Sequence, residues 1–183
     1  MIALAVATAA AVVASPSPVP TPIGIGPRYH PAAAPVRVLK GEPIGTLTCT
    51  RGGGRYGAHV ELFANRRVVL VPAGIGVAAP RARRAGDVVP HGCSYPLRTR
   101  TPTGVVEIRR GAEPTLRDLF AVWGQPLGAL RLAGFHGRVH AFVGGRPWRA
   151  AVESIPLRRH AEIVLEVGGY VPPHTSFLFA GGL

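Results

Sequence analysis

Glycine and proline break this chain so often that long helices have little room: 24 glycines and 19 prolines stand among 183 residues. From about Val36 onward, short apolar or alternating stretches are each followed by a turn signal, which is the pattern of strands rather than helices. Residues 56–64 alternate, with Val60, Leu62 and Ala64 on one face and His59, Glu61 and Phe63 on the other. Asn65-Arg66-Arg67 then turns into residues 68–71, a hairpin. Residues 97–100 and 105–109 flank the turn Thr101-Pro102-Thr103-Gly104, and residues 138–143 and 146–150 flank Gly144-Gly145. Residues 163–167 and 177–179 complete the expected strands, whereas Arg81-Ala82-Arg83-Arg84 reads as a loop.

One helix is specified. Thr115 and Asp118 have capping-box spacing behind Pro114, and Leu116, Leu119, Phe120 and Trp123 form one apolar stripe. Gly124 supplies a C-cap and Pro126 prevents continuation. The expected fold class is α+β, mainly β, with short antiparallel hairpins packed on a single helix over about 115–123. A weak echo between residues 62–72 and 141–157 is no more than hairpins share by default.

Residues 1–14 are uncharged and apolar, with the length of a signal-peptide core and small residues at Val12 and Ala14. No basic residue precedes Arg28, so the stretch reads either as a signal peptide or as the remnant of an anchor. Residues 15–35 hold seven prolines and no period, hence a linker, leaving 36–183 as a single small β-rich domain. No apolar run is long enough for a membrane-spanning helix. The expected location is extracytoplasmic, secreted or associated with the cell envelope. There Cys49 and Cys93 would form a disulfide; in the cytosol they would be buried thiols.

The net charge of +12 comes from 21 basic residues, all arginine except Lys40, against nine acids. The arginines are scattered in pairs rather than concentrated with aromatic residues, so no specific nucleic-acid partner is expected. Gly52-Gly53-Gly54-Arg55 lacks the Lys-Ser/Thr ending of a phosphate-binding loop, and no Gly-x-Ser-x-Gly occurs. His136 and His140 lie in strand-like surroundings, His174 in a Pro-bordered loop, and Trp148 reads as a core residue. His59-x-Glu61 and His160-x-Glu162 each supply two ligands, half a metal site.

Several strings carry a family likeness. They are His59-Val60-Glu61-Leu62 with Pro72-Ala73-Gly74-Ile75-Gly76, Cys93 with Leu97-Arg98-Thr99-Arg100, and Gly104-Val105-Val106-Glu107. Thr115-Leu116, Phe120, Trp123-Gly124 and Ser154-Ile155-Pro156-Leu157 continue the likeness in order. The chain resembles, over about residues 45–183, a family of uncharacterised exported prokaryotic proteins rich in His-x-His pairs. The resemblance implies histidines at positions 57, 98, 100 and 107, where this chain has Gly57, Arg98, Arg100 and Glu107; only His59 is kept. In such relatives alternating histidines on strands would gather imidazoles on one face.

Here the turn at 101–104 places Arg98 opposite Glu107, with Arg100 beside it, an ion pair in place of a histidine cluster. His59, Arg98, Arg100 and Glu107 are the candidate binding residues, and no catalytic residue, metal or cofactor is expected. The leading expectation is a non-catalytic binding or structural module, with an envelope polymer or a protein as partner. Two others stand beside it: a metal-binding protein or metalloenzyme using His59, and an anion or polymer binder using Arg98 and Arg100.

Overall fold

A computed structural model describes residues 32–183. The expectations for residues 1–14 and for most of the linker lie outside the described residues. The elements run β1 (Ala32–Ala33), β2 (Arg55–Ala64), β3 (Arg67–Leu70), β4 (Arg81–Arg84), β5 (Asp87–Pro90), β6 (Leu97–Arg98) and β7 (Val105–Arg109). The helix α1 (Leu116–Trp123) follows, then β8 (Leu127–Gly128), β9 (Arg131–Leu132), β10 (Phe135–His136), β11 (Val139–Val143) and β12 (Arg146–Pro147). A 3₁₀ turn at Val152–Ser154 leads to β13 (Glu162–Val167). The fold is α+β and mainly β, with one α-helix among the described residues.

Strand β2 organises the main sheet, whose path runs β1-β3-β2-β13-β11-β12. Its C-terminal end pairs antiparallel with β3 through the loop Asn65-Arg66, where both residues have positive φ, as a two-residue hairpin of the favoured twist requires. Its N-terminal half pairs antiparallel with β7, and β6 adds beyond β7. On the other side β2 pairs parallel with β13, bringing Glu162 opposite His59 and Val164 opposite Glu61. The sheet is therefore mixed rather than built from hairpins alone.

Period-two alternation gives this sheet one apolar and one polar face. On the apolar face, Ala58, Val60, Leu62, Val106, Ile108, Ile163 and Leu165 are buried in one cluster with Leu116, Leu119, Phe120 and Trp123 of the helix. Each such large side chain contributes about 1.5–3 kcal/mol by leaving water. The helix is closed as its sequence implies: Asp118 Oδ2 accepts from the Thr115 backbone N–H at 2.8 Å, and Gly124 takes a left-handed φ of 80°. The opposite face carries His59, Glu61, Phe63, Glu107, Glu162, Val164 and Glu166. Residues 171–183, which form no strand, lie along it: Phe177 stacks on His59 and Phe179 stacks on His160.

Four expectations are corrected. Residues 177–179 are not a strand, because their contacts are made by aromatic side chains rather than by a hydrogen-bonded ladder. Arg81–Arg84 is not a loop but strand β4, paired with β5 through a turn at Ala85-Gly86 that takes positive φ at both positions. Strand β12 ends at Pro147: the Trp148 backbone N–H still donates to the Ala141 carbonyl at 2.8 Å, but its indole N–H turns to the Ala151 carbonyl and residues 148–150 form no strand. The folded part also reaches further back than residue 36: β1 pairs parallel with β3, and the Pro35 carbonyl accepts from Gln125. Cys49 and Cys93 form the disulfide, beside reciprocal 3.1 Å backbone hydrogen bonds between Thr50 and Ser94. No helix among the described residues is long and apolar enough to cross a membrane.

Candidate functional site

His59 lies at the middle of β2 and is 1% exposed. The Nε2–H donates to the Thr103 carbonyl at 2.9 Å; a carbonyl only accepts, so the hydrogen is on Nε2. Thr103 reaches this position because Gly104 follows it with φ +79°; a Cβ there would stand 2.5 Å from the Val60 oxygen and 2.9 Å from His59 Nε2. The other ring nitrogen, Nδ1, is 2.8 and 3.1 Å from the two carboxylate oxygens of Glu162 and 4.0 Å from Glu61 Oε1. It meets Glu162 either as an N–H on a carboxylate or as a lone pair accepting from a carboxyl group.

Candidate ligand atoms of His59, Glu61 and Glu162 all lie within 4.8 Å of one another. Glu61 Oε2 is also 2.8 Å from Nδ1 of the half-exposed His174. The Phe177 ring covers the imidazole at a centroid distance of 3.8 Å and an interplanar angle of 18°. Burial pushes the Glu162 carboxyl up from the ordinary range, the nearby Glu61 adds to this, and the hydrogen bond from His59 opposes it. Among the described residues, no serine, threonine or cysteine side chain hydrogen-bonds to these groups. The arrangement can hold a proton or a cation.

Arg98, Arg100 and Glu107 come together elsewhere on the same face. Arg98 stands opposite Glu107 in register and binds its Oε2 through Nε at 2.9 Å and Nη2 at 2.8 Å. Arg100 reaches Glu107 Oε1 at 3.5 Å and pairs with Asp87. Beneath them Arg55 is 8% exposed and donates to Ser94 Oγ and to the carbonyls of Tyr95, Pro96 and Glu107. Its burial, with Arg98 and Arg109 nearby, lowers its pKa to about 10. The cross-strand ion pair expected from the sequence is thus present. His59 makes no hydrogen bond or ion pair with this group; its partners are Glu162, Thr103 and, more distantly, Glu61.

Sequence reasoning left His59-x-Glu61 and His160-x-Glu162 as two half-sites. The parallel pairing of β2 with β13 joins three of those four residues. His160 departs, because its φ of 59° turns it toward Phe179 and the Leu183 carbonyl, which accepts from Nε2 at 2.7 Å. His174 and Arg55 carried no local signal, since their side-chain partners lie 113 and 39 residues away, and Asp87 meets Arg100 from 13 residues away, across the turn into β6. No family model matches the chain, and no curated protein or solved structure matches it either.

Proposed function

We propose that the chain is a non-catalytic binding module working outside the cytoplasm, and that its ligands are cations taken up on the polar face of the main sheet. One observation carries this reading. In a chain of net charge +12, the carboxylates of Glu61, Glu162 and Glu166 meet no arginine or lysine among the described residues; their partners there are histidines or a backbone N–H. Glu107, by contrast, is neutralised by two arginines. Burying a carboxylate without a cation is costly, so three such groups on one face favour a positively charged ligand.

The same contacts weigh against an anion or polymer site at Arg98 and Arg100, whose charge is already matched by Glu107 and Asp87. The disulfide supports the extracytoplasmic location, since thiols stay reduced in most cytosols. Thermal unfolding of the full chain with zinc, calcium or spermidine, and separately with heparin or polyphosphate, tests the reading. A rise in Tm with at least one cation is expected. A rise with polyanions alone, or with none of these, would overturn it. Trapping of free thiols in intact cells tests the location: Cys49 and Cys93 are expected to be protected, and labelled thiols would contradict it.

A further inference from the structure

We infer that His59, Glu61 and Glu162 form a site for one divalent transition-metal ion of the zinc class, with His174 as its fourth ligand. The inference rests on the cation-binding reading above and names the ion and its ligands.

The imidazole is set up for it. A histidine that ligates through one nitrogen usually donates the other N–H to a carbonyl or carboxylate, which fixes ring and tautomer. His59 does this with the Thr103 carbonyl at 2.9 Å, leaving Nδ1 as the nitrogen directed at the two glutamates. Gly104 is the residue that allows the carbonyl to approach so closely, and the Phe177 ring blocks the face of the imidazole from water.

The spacing suits a small ion. Tetrahedral ligands bonded at about 2.0 Å stand about 3.3 Å apart. Nδ1 is 2.8 Å from Glu162 Oε2 and 4.0 Å from Glu61 Oε1, so adjustments of less than an ångström bring both to that separation. Glu61 Oε2 is in turn 2.8 Å from His174 Nδ1; that ring stands outside the 4.8 Å group of the other three and joins as fourth ligand by turning toward the ion. A set of two imidazoles and two carboxylates suits zinc and its neighbours better than calcium or magnesium, which take oxygen ligands alone.

The charge also fits. Two carboxylates and two neutral imidazoles carry two negative charges, which a divalent ion cancels. Without it, the Glu162 carboxyl group has only the His59 ring nitrogen as a side-chain partner among the described residues. Four protein ligands with His59 and Glu162 out of contact with water describe a closed site, which holds structure, rather than an open one that activates water. His174 belongs to residues 171–183 and is half-exposed, so an ion enters beside it and then ties that segment to the sheet.

The test is zinc titration of the full chain, after stripping with a chelator, in competition with a chromogenic chelator. Glu162→Gln, Glu61→Gln and His174→Ala are compared with His136→Ala, a surface control. One zinc per chain is expected, weakened at least about 100-fold by either glutamine, about tenfold by His174→Ala, and not at all by His136→Ala. Glutamine is isosteric and removes a buried charge, so Glu162→Gln should fold; if circular dichroism shows otherwise, Glu61→Gln at the site's edge decides alone. Zinc binding unchanged in both glutamine variants would overturn the site. Absence of zinc binding while spermidine still raises Tm would overturn the site and leave the cation-binding reading intact. No response to any cation would overturn both.

Discussion

Gly57 and Phe179 are in direct contact: a Cβ on Gly57 would stand 2.7 Å from Cδ1 and 2.8 Å from Cε1 of the ring. Position 57 lies on the polar face of β2, two residues before His59. The missing side chain is what lets residues 171–183 come down on the sheet, where Phe177 covers His59. Any side chain at position 57 and Phe179 in its present position exclude each other.

Gly57→Ala is therefore expected to displace Phe179 and destabilise the fold by about 1–3 kcal/mol, the usual cost of overpacking. Limited proteolysis reads the local effect, with faster cleavage within 171–183 than in the unaltered chain. Equal cleavage and equal Tm would show that the contact does not hold the segment.

Removing Arg98 and Arg100 together takes away both ion-pair partners of the buried Glu107 carboxylate. Arg98→Ala with Arg100→Ala is expected to lose about 3–5 kcal/mol in urea unfolding. Its elution from heparin should move no more than that of Arg83→Ala with Arg84→Ala, which removes the same charge from strand β4. A much larger shift would restore the anion-binding reading.

Much of this molecule was legible in its sequence, and the reason is local. The alternation of β2, the turns at Asn65-Arg66-Arg67 and Gly144-Gly145, and the helix with its caps each depend on neighbours a few residues apart. The Arg98–Glu107 pair is one turn apart and was equally visible. Strand β4 was hidden because Arg-Ala-Arg-Arg has no apolar face, its pairing being made by backbone groups. The metal-like cluster was hidden for another reason: His59 and Glu162 are 103 residues apart and meet only because β2 and β13 pair in parallel. Residues 171–183 read as a strand at 177–179 because Phe-Leu-Phe has strand character, while its hold on the sheet comes from ring stacking.

Glu166 is 1% exposed, and burial raises its carboxyl pKa above the ordinary 4.5, with the Val171 N–H opposing. A raised carboxyl pKa means that the folded state binds the proton more tightly. Its contribution to stability is full below the unfolded pKa and is lost as pH rises through the folded value. Glu166→Gln keeps the acceptor for Val171 and removes the charge. It should raise Tm at pH 7 and leave it nearly unchanged at pH 4, measured by calorimetry. A lower Tm at pH 7 would contradict this.

The Cys49–Cys93 bond joins residues 44 apart. In the chain-entropy model a loop of this size gains about 4 kcal/mol, so Cys49→Ser with Cys93→Ser should lose about that much in denaturant unfolding. A loss below about 1 kcal/mol would place the stability of this region in the Thr50–Ser94 backbone bridge instead.

Anomalous diffraction at the zinc edge, on crystals of the full chain grown with equimolar zinc, locates the ion itself. The prediction is one peak bonded to His59 Nδ1, Glu61, Glu162 and His174 at about 2.0–2.2 Å. A peak on exposed histidines such as His136 or His140, with the His59–Glu162 contact unchanged, would contradict the account.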